Sequence, residues 1–217
     1  MADFPFDVVA FDLDGTLADT APDLAAALNH TLRALGRRTV DPDSVRHLVG
    51  HGARALLRKA LGDHEETLVE QGFPIYLDFY ADNICVGTLP YPALEEALDA
   101  LAARGVRLAV CTNKPERLTH LLLDALGWRD RFAAIVGADT LAVRKPDPLP
   151  LQEAIIRAGG GHAAYVGDSI TDAETARAAS VPFVAVSFGF SDRPVEALGA
   201  DAVIDSYAEL IGTLEKL

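Results

Sequence analysis

Val8-Val9-Ala10-Phe11-Asp12-Leu13-Asp14-Gly15-Thr16-Leu17 decides the fold. The apolar run from Val8 to Phe11 has the composition of a buried strand, and it ends on two carboxylates one residue apart. Burying such a pair costs desolvation and charge repulsion unless a cation or a reacting phosphate rewards the arrangement. The stretch therefore reads as a metal-assisted aspartate nucleophile at a strand end, although taken alone it also fits a strand end followed by an Asp-Gly turn. A calcium loop fits poorly, because Leu17 and the apolar helix beyond it supply no further ligands at the required spacing.

Downstream of this strand the periodicity is helical over residues 22–83, with Leu24, Leu28, Leu32 and Leu35 at helical spacing, Asp19 or Thr20 as cap and Gly36 as stop. Gly50-His51-Gly52 interrupts the pattern before a helix at 53–61, and Pro74 is expected to kink or divide a helical stretch at 65–83. No strand is expected in this block. Residues 86–92 have the composition of a linker, after which the rhythm changes. Helices at 93–104, 115–126, 149–158 and 172–179 alternate with strands at 107–111, 133–136, 163–166, 183–187 and 202–204, before a closing helix. Such alternation predicts an α/β fold with a parallel sheet covered on both faces. The first strand must join that sheet, so the helical block is an insertion directly after Asp14. The expected division is a core of residues 1–15 and 89–217, with the insertion at 16–88.

Half of the 217 residues are hydrophobic, enough for a sizeable interior. Thirty-two acidic against 19 basic residues give a net charge of -13, which argues against a surface for nucleic acid or an anionic membrane. An anionic substrate would have to be attracted locally. No stretch approaches the roughly 20 apolar residues that span a bilayer, and Met1-Ala2-Asp3-Phe4-Pro5 lacks the basic start of a signal peptide. A cytoplasmic protein is expected, acting as a monomer or small homo-oligomer. Cys85 and Cys111 are too few for a disulfide scaffold, and neither is given a catalytic role.

In an open parallel sheet, ligands bind beyond the carboxyl ends of the strands, so polar strand ends converge whatever their separation in sequence. This rule collects Asp12 and Asp14, Thr112-Asn113, and Gly167-Asp168-Ser169 with Asp172 four residues after Asp168. Lys145, one of only four lysines, arrives from the loop Arg144-Lys145-Pro146-Asp147-Pro148. Each residue has a plainer role open to it: Thr112 as a helix cap, Lys145 as a solvated loop residue, Asp168 and Asp172 as acids at a helix start. Together they make a pocket of acids, a hydroxyl, an amide and an ammonium. Carboxylates so crowded imply an oxygen-binding divalent metal, and magnesium suits a site that also takes phosphate.

These four ordered motifs, Asp12-Leu13-Asp14-Gly15-Thr16, Thr112-Asn113, Lys145-Pro146 and Gly167-Asp168-Ser169-Ile170-Thr171-Asp172, resemble those of the haloacid dehalogenase superfamily. The resemblance spans the chain and implies a Rossmann-like core with an all-helical mobile cap. It also implies Asp12 as nucleophile, Asp14 as general acid and base, and Thr112 and Lys145 on the phosphoryl group, with a metal set of Asp12, Asp14, Asp168 and Asp172. More narrowly, Asp19-Thr20-Ala21-Pro22-Asp23-Leu24, Val49-Gly50-His51-Gly52-Ala53-Arg54 and Thr88-Leu89-Pro90-Tyr91-Pro92 are similar to the phosphoglycolate phosphatases.

The expected function is thus magnesium-dependent hydrolysis of a small phosphate monoester through an aspartyl-phosphate. The expected substrate contacts are Thr112, Asn113, Lys145, Gly50, His51, Gly52 and Arg54, with Arg54 or His51 meeting a carboxylate on the leaving group. A sugar-phosphate mutase and a broad-specificity phosphatase share the core motifs. A phosphoacceptor signalling module would hold its phosphate instead of turning over.

Overall fold

A strand buried on both faces needs apolar side chains at every position, and β1 (Val8–Phe11) supplies them. In the computed structural model, which describes residues 4–62, 64–191 and 193–217, this strand is followed by β2 (Ala18–Asp19) and by the helices α1 (Ala21–Ala34), α2 (Ala53–Leu61) and α3 (Glu66–Asp82). The chain returns through β3 (Leu89–Pro90) and then alternates: α4 (Leu94–Ala103), β4 (Arg107–Cys111), α5 (Glu116–Ala125), β5 (Ala134–Val136), α6 (Leu149–Arg157), β6 (Ala163–Gly167), α7 (Ile170–Ala179), β7 (Phe183–Val186), β8 (Ala202–Ile204) and α8 (Leu210–Leu214). Residues 1–3, on which the signal-peptide argument partly rests, lie outside the described residues. No helix among the described residues is long and apolar enough to cross a membrane.

Six parallel strands form the sheet in the order β5-β4-β1-β6-β7-β8. Period-two alternation divides each strand between two cores. Val9, Phe11, Leu108, Val110 and Val166 face α4, α5 and α8, while Val8, Ala10, Ala109, Cys111 and Tyr165 face α6 and α7. Because β1 pairs with β4 on one side and β6 on the other, strand order reverses around it, and the crevice for a ligand opens at its carboxyl end.

Helices α1, α2 and α3 share a separate apolar cluster that includes Leu24, Leu28, Leu32, Leu56, Leu57, Val69 and Tyr76, completed by Leu118 of α5. One expectation for this block needs correction. Pro74 does not divide the stretch: it lies inside a continuous α3, whose Val69, Gly72, Tyr76 and Tyr80 are buried. An interior proline costs about 3 kcal/mol, and packing against α1 and α2 offsets it. As expected, the described residues of 22–83 hold no strand; β2 and β3 pair antiparallel just outside them, where the chain leaves and re-enters the core. Asp23 fastens this junction by accepting from the backbone N–H of Val86 (3.0 Å), Gly87 (2.8 Å) and Thr88 (2.9 Å) and from the Thr88 hydroxyl (2.7 Å).

Candidate active site

Three neighbouring strands each end in a polar residue, and their parallel alignment brings those ends together. Asp12 follows β1, Thr112 follows β4, and Asp168 follows β6. Asp12, Asp168 and Asp172 are buried, and each offers a carboxylate oxygen within 4.8 Å of the others. Lys145 enters beneath them, itself buried, with Nζ 3.0 Å from Asp12 Oδ1 and 2.6 Å from Asp172 Oδ1.

The acids differ in what they already hold. Asp172 is the third residue of α7 and forms a reciprocal cap with Ser169, so it serves the helix start and the lysine together. Its Oδ1 accepts from Lys145 and Tyr165 Oη (2.8 Å), and its Oδ2 from the Ser169 hydroxyl (2.6 Å) and backbone N–H (3.0 Å). Those bonds fill its lone pairs, so it positions Lys145 and has little left for a metal. Asp168 accepts from the Thr16 hydroxyl (3.0 Å) and the Phe190 N–H (2.6 Å). A Cβ at Gly15 would overlap Asp168 Oδ2, which, with a φ of +82°, explains why the turn after Asp14 is glycine. Asp12 Oδ1 is buried and, beyond its ion pair with Lys145, accepts no hydrogen bond.

Charge follows from this packing. Burial and the nearby Asp172 and Asp14 push the Asp12 carboxyl up to about 6, against the pull of Lys145. Burial, then the charges of Asp172 and Asp12, raise Asp168 well above the carboxylate range. Burial opposes the Lys145 ammonium as well, but the charges of Asp12 and Asp172 outweigh it and hold its pKa above the ordinary value. Three buried carboxylates around one ammonium are short of positive charge. Hard oxygen donors and that deficit fit a divalent cation.

Asp14 stands apart from the three acids. Its carboxylate grips Lys114 Nζ at 2.7 and 3.0 Å and accepts from the Thr20 hydroxyl at 2.7 Å. Thr20 precedes α1 but makes no side-chain cap there, because its hydroxyl is spent on Asp14. Thr112 accepts from the Lys114 N–H, and Asn113 donates to the carbonyls of Lys145 (3.2 Å) and Gly50 (3.3 Å). The last bond ties the core to the loop ahead of α2.

A cleft lies between this site and the helical block, lined by Asp12, Asp14, Thr112, Asn113 and Lys114 below and by Gly50, Gly52, Leu56, Tyr76 and Tyr80 above. Of the residues expected from the block, Gly50 and Gly52 reach the cleft, and a Cβ on Gly52 would press on the Asn113 carbonyl at 3.2 Å. His51 is exposed and does not join the lining. Arg54 turns away: it makes a two-pronged pair with Glu70 (2.9 and 3.2 Å) and stacks on Phe73 with its guanidinium carbon 3.5 Å from the ring centre. The neighbouring helix α3 offers it a better partner than the cleft does. Lys114, Tyr80 and Tyr165 were not foreseen. Only Lys114 carried a signal, as a scarce lysine directly after Thr112-Asn113.

The fold and the ordered acids define the class. A family model for haloacid dehalogenase-like hydrolases matches residues 6–180, and the chain belongs to that family. Within it, the chain is 45% identical over 209 residues to a phosphoglycolate phosphatase of Mesorhizobium japonicum, covering 94% of this chain and 92% of that one. It is 46% identical to another from Agrobacterium fabrum, with 95% and 92% covered. A crystal structure described as a predicted phosphoglycolate phosphatase from Haemophilus somnus superposes with a TM-score of 0.87 at 29% identity, covering 96% and 97%.

Proposed function

We propose that this hydrolase is a magnesium-dependent phosphatase of small phosphate monoesters, with 2-phosphoglycolate as its substrate, and that Asp12 is the nucleophile. One observation carries the assignment of Asp12: among the buried acids of the site, its Oδ1 alone is left without a hydrogen bond, at a strand end and beside a buried ammonium. The names and identities of the relatives support the substrate.

In the first step Asp12 Oδ1 attacks phosphorus in line, the bond from phosphorus to the ester oxygen breaks, and Asp14 gives the departing oxygen a proton. In the second, Asp14 takes a proton from a water that attacks the aspartyl-phosphate, releasing phosphate and restoring Asp12. Lys145 and the Thr112 hydroxyl meet the equatorial oxygens, and Asp172 with Tyr165 fixes where the ammonium stands. An Asp12 oxygen, the Asp14 carbonyl and Asp168 would hold magnesium, which when bound offsets the repulsion between nucleophile and phosphate. The helical block acts as a cap that excludes water and brings Gly50 and Gly52 onto the substrate.

Phosphate release from 2-phosphoglycolate, sugar phosphates, nucleotides and pyrophosphate, with magnesium and after chelation, tests the reading. A clear preference for 2-phosphoglycolate that chelation abolishes is expected; a flat profile would reduce the protein to a general phosphatase. Asp12→Asn should abolish both turnover and acid-stable labelling from radioactive substrate, and near-normal turnover would remove Asp12 from its role.

A further inference from the structure

An anionic leaving group entering this cleft meets an electrostatic problem. Its floor carries Asp12 and Asp14, its walls include Leu24, Leu56, Leu118, Tyr76 and Tyr80, and the whole chain bears a charge of -13. A carboxylate desolvated there needs a cation or donors of its own. Among the described residues lining the cleft, Lys114 is the one cation, since Lys145 lies below among the acids and Arg54 is committed to Glu70 outside. Tyr80 supplies the second element. It is 1% exposed, lines the same cleft from α3, and its hydroxyl has no hydrogen-bond partner. Its ring lies 4.5 Å from Lys114 Nζ.

We infer that Lys114 and the Tyr80 hydroxyl form the subsite for a carboxylate on the leaving group, and that Lys114 hands itself from Asp14 to that carboxylate when substrate binds. The inference rests on the phosphatase reading above and adds to it the residues that choose the ester. The geometry favours an exchange. Lys114 Nζ spends its donors on both oxygens of Asp14, whereas an acid that protonates the ester oxygen must turn toward that oxygen. In 2-phosphoglycolate the carboxylate is one methylene from the ester oxygen, so a carboxyl at the ester oxygen and an ammonium beside it reach both groups at once. One ion pair replaces another: Lys114 leaves Asp14, which carries the proton that it gives to the ester oxygen, for the substrate carboxylate, so the buried charge stays balanced. A neutral leaving group offers no replacement, leaving Asp14 held by Lys114. Because Lys114 stands on the core and Tyr80 on the helical block, the same carboxylate also bridges the two.

The test compares 2-phosphoglycolate with ethyl phosphate, which has a methyl where the former has its carboxylate. In Lys114→Met the ratio of kcat/KM for the two esters should fall by about 30-fold, and in Tyr80→Phe by about 5-fold. Lys114→Arg should recover most of the ratio. Equal losses on both esters in Lys114→Met would overturn the inference and leave Lys114 as a structural partner of Asp14. If the wild-type protein itself does not separate the esters, the phosphoglycolate reading falls and this subsite with it; a wild-type preference that survives Lys114→Met overturns the subsite alone. A second pair guards against misfolding caused by an unpaired Asp14. Asp14→Asn and the double variant Asp14→Asn/Lys114→Met both remove that unpaired charge, and calorimetry should show 2-phosphoglycolate binding about 10-fold weaker to the double variant, with ethyl phosphate unchanged. Equal affinities for 2-phosphoglycolate would overturn the proposal.

Discussion

Replacing Lys145 by methionine removes the single ammonium from a buried group of three carboxylates while keeping most of the side-chain volume. The lysine is 3% exposed and touches Asp12, Asp172 and Tyr165. Breaking a buried ion pair from one side costs about 3–5 kcal/mol, because the remaining charge stays desolvated. For a chain of this size each kcal/mol moves the melting temperature by about 2–4 °C. In chelator at pH 7.5, Lys145→Met should therefore melt roughly 6–20 °C below the wild-type protein. The penalty is electrostatic, so it should shrink as the acids protonate. Asp12 already titrates at about 6 with the lysine present, and without it the carboxyl must titrate higher still. At pH 5.5 the deficit in melting temperature should be less than about half that at pH 7.5. Scanning calorimetry of both proteins at both pH values decides the matter. A deficit that is equal at the two pH values would mean that lost packing, not uncompensated charge, governs the site, and the argument for a cation there would lose its footing.

Without metal, the wild-type protein should itself melt higher at pH 5.5 than at 7.5. The stabilisation from protonated Asp12 is full below its ordinary value of 3.8 and is lost as pH rises through about 6, with Asp168 raised in the same sense and Asp172, lowered by Lys145 and its hydrogen bonds despite burial, ionised throughout. Magnesium added at pH 7.5 should restore the melting temperature, and a flat or rising profile in chelator would contradict the charge deficit. Arg54→Ala should change KM for 2-phosphoglycolate by less than about 2-fold, since an exposed pair on the outer face contributes little; a 10-fold rise would return Arg54 to the cleft. Asp23→Ala orphans several donors at the junction of block and core, and should lower stability by about 2–3 kcal/mol in urea titration, a loss absent if water replaces the carboxylate.

Much of this molecule could be read before it was seen. The unbroken apolar run of β1 is what a strand covered on both faces requires, and the strand-end rule then collects Asp12, Thr112 and Asp168 across more than half of the chain. Other features leave no local pattern. Tyr165 occupies an ordinary core position of β6, and only the arrival of Lys145 and Asp172 makes its hydroxyl part of the site. Strands of two residues, such as β2 and β3, are too short to show a period. The fate of Arg54 was settled by Glu70, sixteen residues away on another helix, a pairing that no spacing rule anticipates. Lys114 sat in plain view, but the direction of its side chain depends on where Asp14 and Tyr80 stand.

The paired β2 and β3 make the helical block a module with a socket. Its two chain crossings lie side by side, and Asp23 ties the incoming helix to the outgoing segment. The sheet therefore sees the whole excursion as if it were one short turn, with its entry and exit already joined. On the mechanism proposed above, changes within the block would alter the residues that face the leaving group, while Asp12, Thr112 and Lys145 stand on the core. In this architecture the chemistry is the fixed instrument and the guest list is interchangeable.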